Sequence, residues 1–134
     1  RRASSLKWLR RMAHQDHDIP GPAAERLLVE AAQRDPRRFA DLYDLYFERI
    51  WLYVLRRVAD RESTQDITSE VFHRALRYLE TFTWRGGGFL AWLYRIASNA
   101  VADHCRQRRR EVQQVVEEAR QPDPEIEDST RLFQ

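Results

Sequence analysis

Apolar residues recur at every third or fourth position through most of residues 22–110, which predicts amphipathic α-helices. The first helix is predicted to begin at Pro22, because proline suits a first helical turn, and to end near Arg34. A second helix is predicted from the Asp35-Pro36 pair to about Ala59. Its apolar stripe consists of Phe39, Leu42, Tyr43, Tyr46, Ile50, Tyr53 and Val54.

Three leucines of the second helix, Leu45, Leu52 and Leu55, lie off this stripe. A helix that is apolar on more than one side is either central to a bundle or offers a surface to a partner. Both interpretations remain open from the sequence.

A third helix is predicted from about Ser63, where Ser63 and Asp66 have the spacing of a capping box, to about Glu80. The residues that can face the core are Ile67, Val71, Phe72, Ala75, Tyr78 and Leu79. The residues of the opposite stripe, predicted to face solvent, are Asp66, Glu70, His73 and Arg77.

Three consecutive glycines at positions 86–88 interrupt the helical pattern, so residues 81–88 are predicted to form a loop with two exposed rings, Phe82 and Trp84. The alternative for Phe82 is that it closes the bundle. A fourth helix is predicted from about Phe89 through an arginine cluster near residue 110. Its buried stripe is Phe89, Trp92, Leu93, Ile96, Ala97, Ala100 and Val101, and its polar strip is Arg95, Asn99, Asp103, Arg106 and Arg110.

These elements predict an all-α fold, a small bundle of about four helices over residues 22–110, because no alternating strand pattern of useful length occurs. Residues 1–21 are predicted to be a flexible basic arm and loop. Residues 111–134 are predicted to be a helix end and an acidic linker that contains Pro122 and Pro124 and leads toward an absent or truncated second domain.

Charge is segregated along the chain although the formal net charge is only +2. The basic arm contains Arg1, Arg2, Lys7, Arg10 and Arg11, and the second basic cluster contains Arg106, Arg108, Arg109 and Arg110. The acidic residues of the tail are Glu111, Glu117, Glu118, Asp123, Glu125, Glu127 and Asp128. A basic folded unit followed by an acidic tail indicates a polyanionic partner.

Cysteine content and hydropathy indicate a cytoplasmic protein. Cys105 has no second cysteine to pair with, which is typical of a reducing compartment. No apolar run approaches the roughly 20 residues that a membrane-spanning helix needs. We therefore expect a soluble protein without direct membrane insertion.

Enzymatic signals are weak. His14, Asp16, His17 and Asp18 have metal-binding chemistry but no cysteine partners, and the glycines at 86–88 lack the Lys-Ser/Thr of a phosphate-binding loop. No nucleophile with a base and an orienting group is evident. The sequence therefore predicts neither an enzyme nor a cofactor nor a metal site, and metal-dependent hydrolysis of nucleic acid is the enzymatic alternative.

Three ordered blocks resemble region 2 of the bacterial sigma-70 family, specifically its extracytoplasmic-function (ECF) group. They are residues 39–46 (FADLYDLY), residues 66–76 (DITSEVFHRAL) and residues 89–99 (FLAWLYRIASN), followed by the arginine cluster. Each block alone is a weak signal, but three in this order are specific. The resemblance implies a transcription initiation factor that binds core RNA polymerase and recognises and helps to melt the promoter minus-ten element.

The resemblance also implies which residues face the polymerase. The stretch that begins at Asp66 would dock on the clamp helices of the large subunit, through Asp66, Ser69, Glu70 and His73. Carboxylates at positions 66 and 70 are one helical turn apart, so both can meet arginine side chains. Ser69 stands where the family usually has Gln, so one customary amide contact is missing. The alternative is that Asp66 only caps its helix and Glu70 is a solvated surface residue.

By the same resemblance, the loop and the fourth helix would bind the single-stranded minus-ten element. Strand opening needs rings for unstacked bases, polar groups for base edges and cations for phosphates. The candidate DNA-binding residues are Trp84, Arg85, Arg95, Asn99, Asp103, Arg106, Arg108, Arg109 and Arg110.

Members of this family are commonly inhibited by an anti-sigma factor, which is often membrane-bound. The resemblance therefore implies an anti-sigma partner. It also implies that the chain is cytoplasmic and that this partner can hold it at the membrane. A helix-turn-helix repressor or a helical adaptor is the alternative, and a preference for duplex over single-stranded DNA would distinguish it.

Overall fold

The structure, a computed structural model, describes residues 19–121. Four α-helices follow one another: α1 (Pro22–Arg34), α2 (Phe39–Val58), α3 (Arg61–Tyr78) and α4 (Gly88–Arg120). Short 3₁₀ turns at Pro36–Arg38 and Leu79–Thr81 precede α2 and follow α3. Within residues 19–121 no strand occurs, so the predicted all-α class with about four helices is confirmed.

Helix α1 has the bounds that the sequence predicted, with Pro22 in its first turn. The Asp35-Pro36 pair opens the 3₁₀ turn rather than α2 itself, and the Asp35 carboxylate accepts a hydrogen bond from Arg37 N at 3.1 Å. Helix α2 ends at Val58, and its C-cap Ala59 stops the helix through a left-handed φ of 55° and an N–H bond to Leu55 O.

Helix α3 begins at Arg61, two residues before the predicted start near Ser63, and Ser63 is not its N-cap. Asp60 is the N-cap, and its Oδ2 accepts a hydrogen bond from Ser63 N at 3.1 Å. Ser63 is thus the third helical residue and is buried. Asp60, rather than Ser63, caps the helix because it directly follows the left-handed Ala59 and has an extended backbone. From this position its carboxylate reaches the unpaired N–H groups of the first turn.

The core lies along the stripes that the periodicity predicted, and α2 packs against both α1 and α3. The large side chains that are fully buried in this core include Leu42, Tyr46, Ile50, Val54, Val71, Phe89 and Leu93. Leu45, Leu52 and Leu55 are partly exposed, in keeping with a central helix that is apolar on several sides.

Two tyrosines predicted to face the core are exposed instead, Tyr43 by 38% and Tyr78 by 50%. The Tyr43 ring still packs edge-on against Phe72, with ring centroids 4.9 Å apart. A tyrosine at a core boundary gains from packing its ring while its hydroxyl stays in water, whereas apolar periodicity treats the residue as fully apolar. Tyr78 is the last residue of α3, where the buried stripe ends.

Helix α4 extends to Arg120, about ten residues beyond the arginine cluster, so it ends within residues 111–134, where the sequence predicts a helix end. The chain divides into two compact units within this helix: the first unit ends at Val101 and the second begins at Ala102. In the second unit, residues 106–121 are exposed.

Candidate functional site

The four residues predicted to face the polymerase lie on α3, and all are exposed. Glu70 Oε1 accepts a hydrogen bond from Arg74 Nε at 2.9 Å, and His73 Nε2 lies 2.9 Å from an Arg77 guanidinium nitrogen. Asp66 and Ser69 complete the same two helical turns. The structure therefore brings these four side chains together on one face, with two carboxylates presented to solvent.

An aromatic cluster between α2 and α3 lies behind this face. Phe72 packs against Phe47 with centroids 6.1 Å apart and against Phe39 at 6.4 Å, and Tyr43 lies 5.1 Å from Phe47. Leu76, one turn after His73, is 42% exposed. Tyr43, in contact with Phe72, and Leu76 thus leave exposed apolar surface on α2 and α3 that a protein partner can cover.

The loop between α3 and α4 contains one buried ring, so the prediction of two exposed rings is wrong for Phe82. Phe82 is 6% exposed and its centroid lies 5.4 Å from Phe89 and 5.1 Å from Trp92. It closes the bundle, which was the alternative. Burial of a phenylalanine ring beside two other rings removes more apolar surface from water than exposure in the loop would.

Trp84 remains partly exposed. Its ring packs edge-on against Phe82 with centroids 5.0 Å apart, and the guanidinium carbon of Arg26 lies 5.4 Å from the Trp84 centroid. This distance is within the range of a cation–π interaction. Arg85, the next residue, is exposed.

A buried carboxylate caps the start of α4. Glu25 of α1 is 8% exposed; its Oε1 accepts a hydrogen bond from Phe89 N at 3.0 Å, and its Oε2 accepts one from the Tyr46 hydroxyl. Burial, and then the hydrogen bond to Glu25, raise the pKa of the Tyr46 phenol well above its usual range. The Tyr46 proton therefore stays on the phenol, where it satisfies the second carboxylate oxygen.

Two glycines allow this arrangement. Gly87 and Gly88 have φ of 99° and 73°, in the left-handed region that side chains rarely adopt. A Cβ on Gly88 would lie 2.7 Å from Glu25 Oε1, and one on Gly87 would lie 2.8 Å from Ala91 Cβ. Gly86 has open space around it. Of the three consecutive glycines, Gly87 and Gly88 are therefore required by the structure, and Gly86 is not.

Sequence reasoning missed the part that α1 plays here. Besides Glu25 and Arg26, α1 contributes Gln33, whose Nε2 donates to Leu79 O at 3.0 Å and to Phe82 O at 3.2 Å. A signal for Glu25 exists, because positions 25, 29 and 32 share one helical stripe and Val29 and Ala32 are buried. An acid on a buried stripe is a strong indication of a polar partner in the core.

Arg95 and Asn99 are exposed and stand one turn apart on the part of α4 that belongs to the first unit. They alternate with the buried residues Leu93, Ala97 and Ala100. A cation and an amide are therefore available on one face for contact with a phosphate and a base edge.

In the second unit, taken by itself, the four arginines of the cluster are exposed. Arg106 donates to the carboxylate of Asp103, and Arg109 Nε lies 3.4 Å from Cys105 O. The acid of this set is thus already paired with a neighbouring cation, and Arg108 and Arg110 complete the cluster.

The metal candidates His14, Asp16, His17 and Asp18 lie outside the described residues. Within residues 19–121 no group of three or more histidine, cysteine or acidic side chains is placed to hold a metal ion. Over the same residues, no helix has both the length and the apolar character that crossing a membrane requires.

The sequence model of the family described as Sigma-70 region 2 matches residues 42–111, slightly more than half of the chain. The chain therefore belongs to this family. All the candidate polymerase-binding and DNA-binding residues fall within the matched range, whereas α1 precedes it.

Individual relatives agree. The chain is 46% identical over 83 residues to the ECF RNA polymerase sigma factor BldN of Streptomyces coelicolor, covering 61% of this chain and 31% of that protein. It is 40% identical over 82 residues to the RNA polymerase sigma-H factor of Pseudomonas aeruginosa, covering 60% and 42%. It is 29% identical over 85 residues to the ECF factor SigW of Bacillus subtilis, covering 63% and 45%. The chain thus spans between 31% and 45% of the length of these relatives.

A solved structure described as the RsbN–BldN complex is similar in fold, with a TM-score of 0.54 and 39% identity over 72% of this chain and 66% of that chain. These matches favour neither the repressor nor the hydrolase alternative.

Proposed function

We propose that this chain is the part of a bacterial ECF sigma factor that binds core RNA polymerase and recognises and helps to melt the promoter minus-ten element. The observation that carries the proposal is the presence of two exposed polar faces on different helices, an acidic one on α3 and a cationic and amide-bearing one on α4, inside the family-matched residues. Their chemistry suits two different partners. The proposed action is binding, without catalysis by the chain itself.

The α3 face is proposed to meet the clamp helices of the polymerase. Asp66 and Glu70 offer carboxylates to basic side chains, and Glu70 brings Arg74 with it as part of a charge network. Ser69, between the carboxylates, and His73, one turn after Glu70, contribute smaller polar contacts. The apolar rim of Tyr43 and Leu76 gives this face the mixed character of protein interfaces.

The loop and the α4 face are proposed to receive the opened non-template strand. Trp84 offers a partly exposed ring for stacking with a base, and Asn99 offers an amide that can read a base edge. Arg85 and Arg95 are proposed to contact phosphates beside these groups. In the second unit, Arg106, Arg108, Arg109 and Arg110 are proposed to contact the phosphate backbone without reading sequence.

A protein inhibitor of the anti-sigma class is the third proposed partner. The similar BldN structure holds RsbN, and the partly exposed leucines Leu45, Leu52 and Leu55 provide apolar surface on α2 for such a protein. The location proposed for the whole protein is the cytoplasm, with the inhibitor able to keep it at the membrane.

Residues 22–110 are proposed to be the promoter-melting domain, preceded by a basic arm at residues 1–21 and followed by a helix end and an acidic linker at residues 111–134. A second DNA-binding domain, for the minus-thirty-five element, is proposed for the full-length protein. We therefore expect this chain to need core polymerase for specific DNA binding.

Capture on immobilised core RNA polymerase tests the proposal. The chain is expected to be retained, and a charge-reversed double variant, Asp66→Lys with Glu70→Lys, is expected to pass through. A matched reversal away from the face, Glu80→Lys, is the control because Glu80 is also exposed. Equal retention of the double variant and the parent, or no retention of the parent, would contradict the polymerase contact.

A further inference from the structure

The loop proposed to read the promoter strand is bounded by hydrogen bonds to a helix that lies outside the family-matched residues. At its beginning, Gln33 of α1 donates from one amide nitrogen to two carbonyl oxygens, Leu79 O at 3.0 Å and Phe82 O at 3.2 Å. These carbonyls belong to the 3₁₀ turn and the residue that follows it, where the chain leaves α3. The start of the loop is therefore fixed by a side chain 46 residues earlier in the sequence.

At its end, the loop is fixed by Glu25 of the same helix. The Glu25 carboxylate caps Phe89 N, and the absence of a side chain on Gly88 lets this carboxylate approach the backbone. Glu25 and Gln33 are eight positions apart on α1, which corresponds to about 12 Å along a helix axis. One rigid helix thus sets both ends of the loop.

Between these ends, Arg26 contacts the ring of Trp84. Its guanidinium lies 5.4 Å from the ring centroid, and Glu30, one turn further along α1, accepts a hydrogen bond from Arg26 Nε at 3.1 Å. Glu30 therefore restricts where the guanidinium stands. Trp84 is limited by Phe82 through an edge contact and by Arg26 through a cation–π contact.

We propose that α1 is the positioning element of the promoter-reading loop, with Gln33, Glu25 and Arg26 acting as positioning residues for its start, its end and its exposed ring. This inference rests on the proposed function. Stacking of an unpaired base on an aromatic ring requires that the ring plane be held where the base arrives, because a ring that moves loses orientation on binding. Arg26 sets that plane, and the two backbone attachments set its distance from α4.

The proposal has a consequence for specificity. Gln33, Glu25 and Arg26 precede residue 42, where the family match begins, whereas the α3 face lies inside it. Changes in α1 are therefore expected to reduce the base preference of the loop while leaving polymerase affinity unchanged.

The test uses the chain in complex with core RNA polymerase and a pool of short single-stranded DNA of randomised sequence. Sequencing the bound fraction gives the base preference at every position. Two variants, Arg26→Gln and Gln33→Met, are compared with Arg34→Gln, which removes a charge from an exposed position of the same helix. The first two are expected to weaken binding of the selected sequence by about tenfold, the size of one base–ring stacking contact, and to reduce the base preference at the positions that the loop reads. Preference elsewhere and core affinity should stay as in the parent, and Arg34→Gln should change nothing.

A second measurement reports on the ring itself. The chain has four tryptophans, and the indole N–H signal of Trp84 is assigned by its loss in Trp84→Phe. Arg26→Gln is expected to shift this signal in the free chain, and Arg34→Gln is not. Arg26 is exposed, so this variant is expected to fold even if Gln33→Met does not.

The outcomes separate the two proposals. If the parent complex selects bases and both variants keep its full preference profile, α1 does not position the loop and the inference is overturned. If the parent chain neither binds core polymerase nor selects bases, the proposed function fails and the promoter role of α1 fails with it. Loss of preference at all positions together with loss of core affinity would point to unfolding in place of positioning, and would also overturn the inference.

Discussion

The α3 face and the loop before α4 differ in how far along the chain their stabilising contacts reach. On α3, Glu70 contacts Arg74 and His73 contacts Arg77, so both contacts stay within one helical turn. The loop depends on Gln33 and Glu25, which are 46 to 64 residues away from the groups they bind. A face on one helix follows from local periodicity, whereas the loop exists in this form only once α1 has packed.

The largest effect is expected at the loop end. Gly88→Ala places a Cβ at a left-handed backbone position and against Glu25, so we expect a loss of about 2–4 kcal/mol of unfolding free energy. Gly86→Ala, in open space, should change it by less than about 0.5 kcal/mol. Urea unfolding followed by circular dichroism measures the stability of both variants. Equal stability would contradict the claim that the loop depends on the contact between Gly88 and Glu25.

The α3 face is expected to respond in binding rather than in stability. Glu70→Ala should weaken core polymerase binding by about tenfold, or ~1.4 kcal/mol, while its exposed pair with Arg74 contributes at most about 0.5 kcal/mol to folding. Glu80→Ala is the matched control on an exposed acid outside this face. If Glu70→Ala lowers the unfolding free energy and leaves polymerase affinity unchanged, Glu70 stabilises the fold and does not contact the polymerase.

The structure and the sequence pattern name different N-cap residues for α3, Asp60 and Ser63. Asp60→Ala removes the acceptor for Ser63 N and should cost about 1 kcal/mol, as N-cap removal typically does. Ser63→Ala should cost less, because the Ser63 side chain does not cap the helix. Thermal unfolding of the two variants measures this, and a greater loss in Ser63→Ala would restore the capping box predicted from the sequence.

The smallest effect is expected in alkaline solution. The raised pKa of Tyr46 means that the folded chain keeps the phenol proton where the unfolded chain has released it. The stabilisation is therefore full below the usual tyrosine pKa of 10.0 and declines as the pH rises above it. Tyr46→Phe should make this decline shallower but not abolish it, since burial also raises the pKa of Tyr43. An unchanged slope in urea titrations at several alkaline pH values would exclude Tyr46 as the cause.

The sequence predicted much of the architecture because apolar spacing and helix formation are local. It predicted the bounds of α1 and the exposed face of α3. It also predicted that α4 passes through the arginine cluster, and the helix continues to Arg120 because neither glycine nor proline occurs between Arg110 and Pro122.

The errors arise where the sequence pattern omits backbone turns or contacts between helices. The capping-box spacing indicated Ser63, whereas the left-handed turn at Ala59 puts Asp60 at the N-cap of α3. Burial of Glu25 and of Phe82 depends on groups from other helices, such as the Tyr46 hydroxyl and the Trp92 ring, which no local pattern contains. The DNA-binding and polymerase-binding assignments remain predictions.

Strand preference is the most direct test of the central proposal, that this chain with core polymerase binds the opened minus-ten strand. Fluorescence anisotropy compares a labelled single-stranded sequence enriched by the complex with the same sequence as a duplex. We predict tighter binding of the single strand, and only when core polymerase is present. Tighter binding of the duplex by the chain alone would contradict the proposal and favour a helix-turn-helix repressor.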